Sequence, residues 1–294
     1  MPMSLRNKIA AVLLCCAATA GLAVPASAQS DTAAQVLRPV LHMFTLDVGH
    51  ASLLDSYLTP IAYHGQNFRL GYEHFQATGF NPERFTRQLE VDVDYDHTHN
   101  PAGNHTMHSL MAEARWSMMH RWRDVALSGT QLMVGPMTQF RGGVIYNSNN
   151  SNNVVSAKIH WAVGVNAMAV WNTTLWGRQL SLRYEGSLPV AGAFFSPDYD
   201  EAYYEIYVGN HHGLAHFGWW GNRFDLTSYL TADFRLGGTT LRLGYRGRIE
   251  TSWINHINTH IFTHALVIGI GGEFLSLSHG KKLKPAHRII SPQY

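Results

Sequence analysis

Leu89-Glu90-Val91-Asp92-Val93-Asp94-Tyr95-Asp96 decides the fold. Apolar and acidic residues alternate without a break. Side chains two apart share one face of an extended strand, so Leu89, Val91, Val93 and Tyr95 lie on one side and four carboxylates on the other. No helical reading gathers these residues onto two clean faces. The same alternation, with basic residues, recurs in Thr240-Leu241-Arg242-Leu243-Gly244-Tyr245-Arg246. Leu180-Ser181-Leu182-Arg183-Tyr184-Glu185, Phe68-Arg69-Leu70-Gly71-Tyr72-Glu73 and Leu230-Thr231-Ala232-Asp233-Phe234-Arg235-Leu236 repeat it. The fold class is therefore all-β.

Two environments produce such a pattern. In a soluble sandwich the apolar face packs inward; in a membrane barrel it meets lipid, while the charged face lines the interior. The runs often reach ten residues, the length of a tilted membrane strand. Trp116, Trp122, Trp161, Trp171, Trp176, Trp219 and Trp220 fall near run ends, where interfacial girdles sit. These features predict a single antiparallel transmembrane outer-membrane β-barrel. Its strands fall near 37–49, 64–77, 84–98, 105–121, 130–145, 154–171, 177–188, 201–209, 214–220, 224–236, 239–252 and 259–276. That makes about twelve, with 214–220 the most weakly patterned, and ten is the alternative count.

The N-terminus supports export. Arg6 and Lys8 precede an apolar stretch from Ile9 to Ala23, and Ala26-Ser27-Ala28 has the small-residue form of a signal-peptidase site. The expected organisation is a signal peptide over 1–28, a barrel over 29–278 and a basic periplasmic tail over 279–294. Of 294 residues, 14% are charged and the formal net charge is +2. Losing Arg6 and Lys8 with the signal leaves 20 basic residues against 20 acidic ones. That balance gives no basic excess for nucleic acid. Both cysteines, Cys15 and Cys16, leave with the signal, so the mature chain has no disulfide or thiol chemistry. The expected location is the outer membrane, in contact with its lipid and lipopolysaccharide and open to an envelope protein assembly.

Three stretches resemble a known family: Leu54-Asp55-Ser56-Tyr57-Leu58-Thr59-Pro60; Ile145-Tyr146-Asn147-Ser148-Asn149-Asn150 with Ser156-Ala157-Lys158; and Leu188-Pro189 continuing to Phe195-Ser196-Pro197-Asp198-Tyr199 and Tyr203-Tyr204-Glu205-Ile206. They are similar to an uncharacterised family of bacterial outer-membrane proteins, a domain of unknown function. The resemblance implies location and architecture, and supplies no activity or ligand.

Alternation turns a ladder of charges into the barrel: Arg69, Glu73, Glu90, Asp92, Asp94, Glu113, Arg115, Arg183, Glu185, Arg242 and Arg246, with Lys158, Asp233 and Arg235. Mixed signs predict a salt-bridged polar core. The second possibility is a narrow path in which the Glu90–Asp96 ladder opposes the Arg242–Arg248 ladder. Eighteen histidines include the group His97, His99, His105 and His108, but no fixed ligand spacing such as H-E-x-x-H occurs. No metal ligands or cofactor are assigned. Nor is a catalytic residue: no G-x-S-x-G occurs. Asp96, His99, Ser148, Ser196, Asp198 and Asp200 could approach one rim. The expected role is thus non-enzymatic (structural, docking or narrow solute passage), and the alternative is an outer-membrane lipase or protease with a rim Ser/His/Asp site.

Overall fold

The computed structural model describes residues 36–125, 127–150, 153–275 and 288–294. The signal peptide over 1–28 and the lysines at 281, 282 and 284 lie outside the described residues. Thirteen strands are present among those described. They are β1 (Val36–Leu37), β2 (Val40–Asp55), β3 (Thr59–Ala77), β4 (Phe85–His99), β5 (Thr106–Arg123), β6 (Thr130–Tyr146), β7 (Val155–Leu175), β8 (Arg178–Phe195), β9 (Ala215–Trp219), β10 (Arg223–Leu236), β11 (Thr239–Ile254), β12 (Ile257–Phe274) and β13 (Arg288–Ile289).

Ten of them, β2–β8 and β10–β12, form an antiparallel sheet that closes on itself. β12 pairs with β2 from Phe274↔Val40 to Thr259↔Asp55. β10 pairs with β8 from Phe234↔Leu180 to Thr227↔Ser187. The count is ten rather than about twelve. In the 201–209 region, Tyr203 and Tyr204 stand side by side and break the period of two. The chain instead makes one helical turn, α1 (Tyr203–Tyr207). The 214–220 region supplies β9, too short to span and paired only with the end of β8. Both changes fall within one connection, so every other strand keeps its expected direction.

Trp176 (φ +52°) with Gly177 (φ +73°), and Asn255 (φ +50°) with His256 (φ +60°), are positive at both central positions. This is the type I′ signature that matches strand twist in two-residue hairpins. A β-carbon on Gly269 would sit 3.1 Å from that of Arg242, so this glycine leaves room for a bulky interior arginine.

Alternation partitions the wall. On β4, Leu89, Val91, Val93 and Tyr95 are exposed on the outside, while Glu90, Asp92, Asp94 and Asp96 are buried inside. The same outward apolar set continues through Phe44, Leu46 and Val48 of β2 and Leu266, Ile268 and Ile270 of β12. A soluble protein would not leave so continuous an apolar band facing water.

One end of the barrel, here the cap end, carries the longest connection, 196–222, with α1 and β9. At the other, the plug end, residues 288–294 turn into the mouth. β13 pairs in parallel with β1. Ile290 and Gln293 are buried, although the sequence reading assigns them to a basic tail. After the lysines the chain becomes apolar and amide-bearing, and the mouth satisfies it. Arg121 donates to the Ser291 carbonyl (2.9 Å), and Gln131 and Asn172 to that of Gln293 (3.1 and 2.8 Å). The Gln293 amide donates to Asp233 (2.8 Å).

Candidate functional site: the charged interior and the split in its wall

Two apolar layers bracket the interior. Leu53, Tyr57, Leu58, Tyr63, Met107, Met111, Ile145, Ile257 and Ile261 pack together at the cap end. Leu41, Met43, Phe75, Met119, Met133, Met168 and Val170 pack near the plug end. Methionine dominates the plug-end set, with Met43, Met119, Met133 and Met168, as suits irregular gaps in a packed interior.

Between the layers lie all eleven residues of the expected charge ladder, every one of them buried. Toward the plug end, Glu73 receives Arg183 (2.6 Å) and Arg242 (2.5 Å), and Arg242 also grips Asp233 through two nitrogens at 2.7 Å each. Arg115 pairs with Glu90. Glu73, Glu90 and Glu185 offer oxygens within 4.8 Å of one another, which would be repulsive without compensation. Three guanidiniums supply it. The Gln88 amide adds bonds to Glu73 (2.9 Å) and Glu185 (3.1 Å), and Asn166 adds one to Glu185 (3.0 Å). Those donors occupy the oxygens a cation would need.

Toward the cap end, Arg141 reaches Asp94 (2.7 Å) and Glu250 (3.3 Å), Arg248 reaches Glu113 and Asp225 (3.2 Å to the latter), and Arg69 approaches Asp94 at 3.4 Å and Asp92 at 3.8 Å. Arg246 pairs with Asp47 (3.0 Å) and lies 4.0 Å from the centre of the Tyr229 ring, a cation–π contact. The β4 acids therefore do not face the β11 arginines across open space. Their closest cations stand on β3, β5 and β6.

Asp47, Arg141, Arg248, Glu250 and Asp225 belong to this network although the eleven-residue ladder omits them. Their signal was present: Phe44-Thr45-Leu46-Asp47-Val48 and Gln139-Phe140-Arg141 alternate just as β4 does. The rim residues do not assemble. Asp96 points inward and accepts a bond from Asn67 (2.7 Å), whereas His99, an odd number of residues away, lies exposed on the outside. The Ser196 hydroxyl contacts Pro197 O, its own neighbour.

The wall is split beside this network. β8–β10 pairing stops at Ser187↔Thr227. Above it β8 pairs with β9, while Arg223–Leu226 of β10 keep only β11. Pro189 stands at the parting and has no N–H to give. Its carbonyl takes the Trp220 indole N–H instead (2.8 Å). The cleft there is lined outside by Trp161 and Trp219 and reaches the buried Phe194, Arg223 and Asp225 inside. Behind it, Arg223 bonds Glu250 (2.6 Å) and contacts the buried His160 (2.8 Å).

The cap closes its end of the barrel with side chains from three connections, 56–58, 147–154 and 196–222. Tyr57 Oη donates to Glu201 O (2.8 Å), Asn150 Nδ2 to Leu58 O (3.0 Å), and the Ala157 N–H to Tyr203 Oη (2.6 Å). Lys158 meets Asp55 at 2.8 Å. Burial, with Tyr203 and Glu201 alongside, pushes the Tyr57 hydroxyl above its ordinary value, so it stays a donor. The stretches that carry the family resemblance thus converge on one structure.

Among solved structures, the chain is similar to the outer membrane protease OmpT of Escherichia coli (6% identity, covering 84% of this chain and 99% of that one, TM-score 0.43). It is also similar to the transport unit of the autotransporter AIDA-I of Escherichia coli (7%, 88% and 97%, 0.37) and to the translocator domain of the autotransporter NalP of Neisseria meningitidis (11%, 92% and 96%, 0.34). No curated protein matches. The family described as Protein of unknown function (DUF3316) matches residues 10–282, and the chain belongs to that family.

Proposed function

We propose that this chain is an outer-membrane barrel with a sealed, non-conducting interior, cap end outward, acting as a structural and docking element of the cell envelope. The observation that carries the reading is the filled middle. Arg141, Arg183, Arg242 and Arg248 are among the largest fully buried side chains, held by carboxylates from across the barrel between two apolar layers. An axial path would need all of them to part. The outward apolar band supports lipid and lipopolysaccharide as its surroundings. Tyr199, Tyr204 and Tyr207 stand exposed on the 196–222 connection, and Tyr is favoured where an envelope protein would dock.

The narrow-passage reading survives only sideways, through the split beside Pro189, because the axis is blocked. The hydrolase reading has no assembled Ser/His/Asp set among the described residues to support it. Planar-bilayer recording of the refolded mature chain tests the proposal. The expected result is baseline current at moderate voltage. Stable ohmic steps, unchanged by substitutions at the split, would overturn it.

A further inference from the structure

On the outside of the cap end, histidines line up across neighbouring strands. His97 and His99 are two residues apart on β4 and share its outward face. His108 of β5 stands directly opposite His97, and His64 of β3 directly opposite His99. His64 and His99 are exposed, His97 and His108 partly so. Nδ1 of His97 and Nδ1 of His108 point at one another, 3.3 Å apart, and the His99 ring meets the His97 ring edge-on at 4.8 Å.

That nitrogen separation has a specific chemical meaning. Two imidazole nitrogens bound at about 2.0–2.1 Å to one tetrahedral Zn²⁺ stand roughly 3.3–3.4 Å apart. The β4–β5 register already holds the pair at chelating distance, with little side-chain ordering left to complete. No carboxylate belongs to this group, and imidazole selects first-row transition metals over Mg²⁺ and Ca²⁺.

We propose that His97 and His108 bind a transition-metal cation of the Zn²⁺ class at the cap-end rim of the barrel, the exposed His99 ring turning to supply a third nitrogen as the metal enters. Tyr95 Oη, 2.8 Å from His108 Nδ1, must release that nitrogen as the metal enters. The ordinary alternative is a His–His hydrogen bond, which binds nothing.

Calorimetric titration of the untagged mature chain, refolded in detergent free of lipopolysaccharide, decides between them. Zn²⁺ is expected to bind and Ca²⁺ to give no binding heat. The His97→Ala/His108→Ala double variant should weaken Zn²⁺ by at least about tenfold. His74→Ala, on a plug-end histidine, should leave the affinity unchanged. Absence of Zn²⁺ binding by the parent, or equal affinity in the double variant, would overturn the site. Both substitutions are on the barrel exterior, so the fold provides its own control.

Discussion

Arg242→Met is expected to destabilise the barrel by about 3–5 kcal/mol, the cost of breaking a buried ion pair from one side. Arg242 is fully buried and serves two carboxylates, Glu73 and Asp233. Methionine fills part of the volume but returns neither charge nor hydrogen bonds. Glu73 keeps Arg183, whereas Asp233 retains, among the described residues, the Gln293 amide alone. The loss should therefore be concentrated on Asp233, and Arg242→Met/Asp233→Asn should recover a large part of it. Urea unfolding in lipid vesicles, followed by tryptophan fluorescence, measures both variants. A loss below about 1 kcal/mol for the single change would mean that water reaches the pair, as in an exposed salt bridge. The interior would then be open rather than filled.

Val91→Arg should cost about 2–4 kcal/mol in a bilayer, as an arginine does on the lipid face of a barrel near the midplane. Val91 is 41% exposed on the outside of β4. On a water-facing surface the same change would stay within about 0.5 kcal/mol. The size of the effect thus reports the medium outside the barrel, independently of what fills it. Equal stability of Val91→Arg and the parent, both measured in vesicles, would contradict a lipid-facing wall.

Much of this is legible in the sequence. The alternation of Leu89–Asp96 assigns each residue of β4 to its face, because a pleated strand has no freedom in the matter. Partners were not legible. Asp94 meets Arg141 and Glu73 meets Arg242, far apart in the chain and joined only by strand order and stagger. The same reason hides the His97–His108 pair, which exists only once the β4–β5 register is known. Around 201–209 alternation gives way to consecutive tyrosines, and a strand is misread from β-favouring residue types where the chain makes a helical turn. The closed plug end was hidden for another cause. Three lysines mark the segment before it as solvated, yet Ile290 and Gln293 beyond them are taken up by the mouth.

Site-directed spin labelling tests the central claim most directly. The chain from Gln29 onward has no cysteine, so single cysteines at 89 through 96 can each carry one label in vesicles. Collision with oxygen, which partitions into hydrocarbon, should be high at 89, 91, 93 and 95. Collision with a water-soluble nickel chelate should be low at all eight positions. High chelate accessibility at the odd positions would place that face in water; at the even positions, it would open the interior. Either result would contradict a lipid-facing wall around a sealed, ion-paired core.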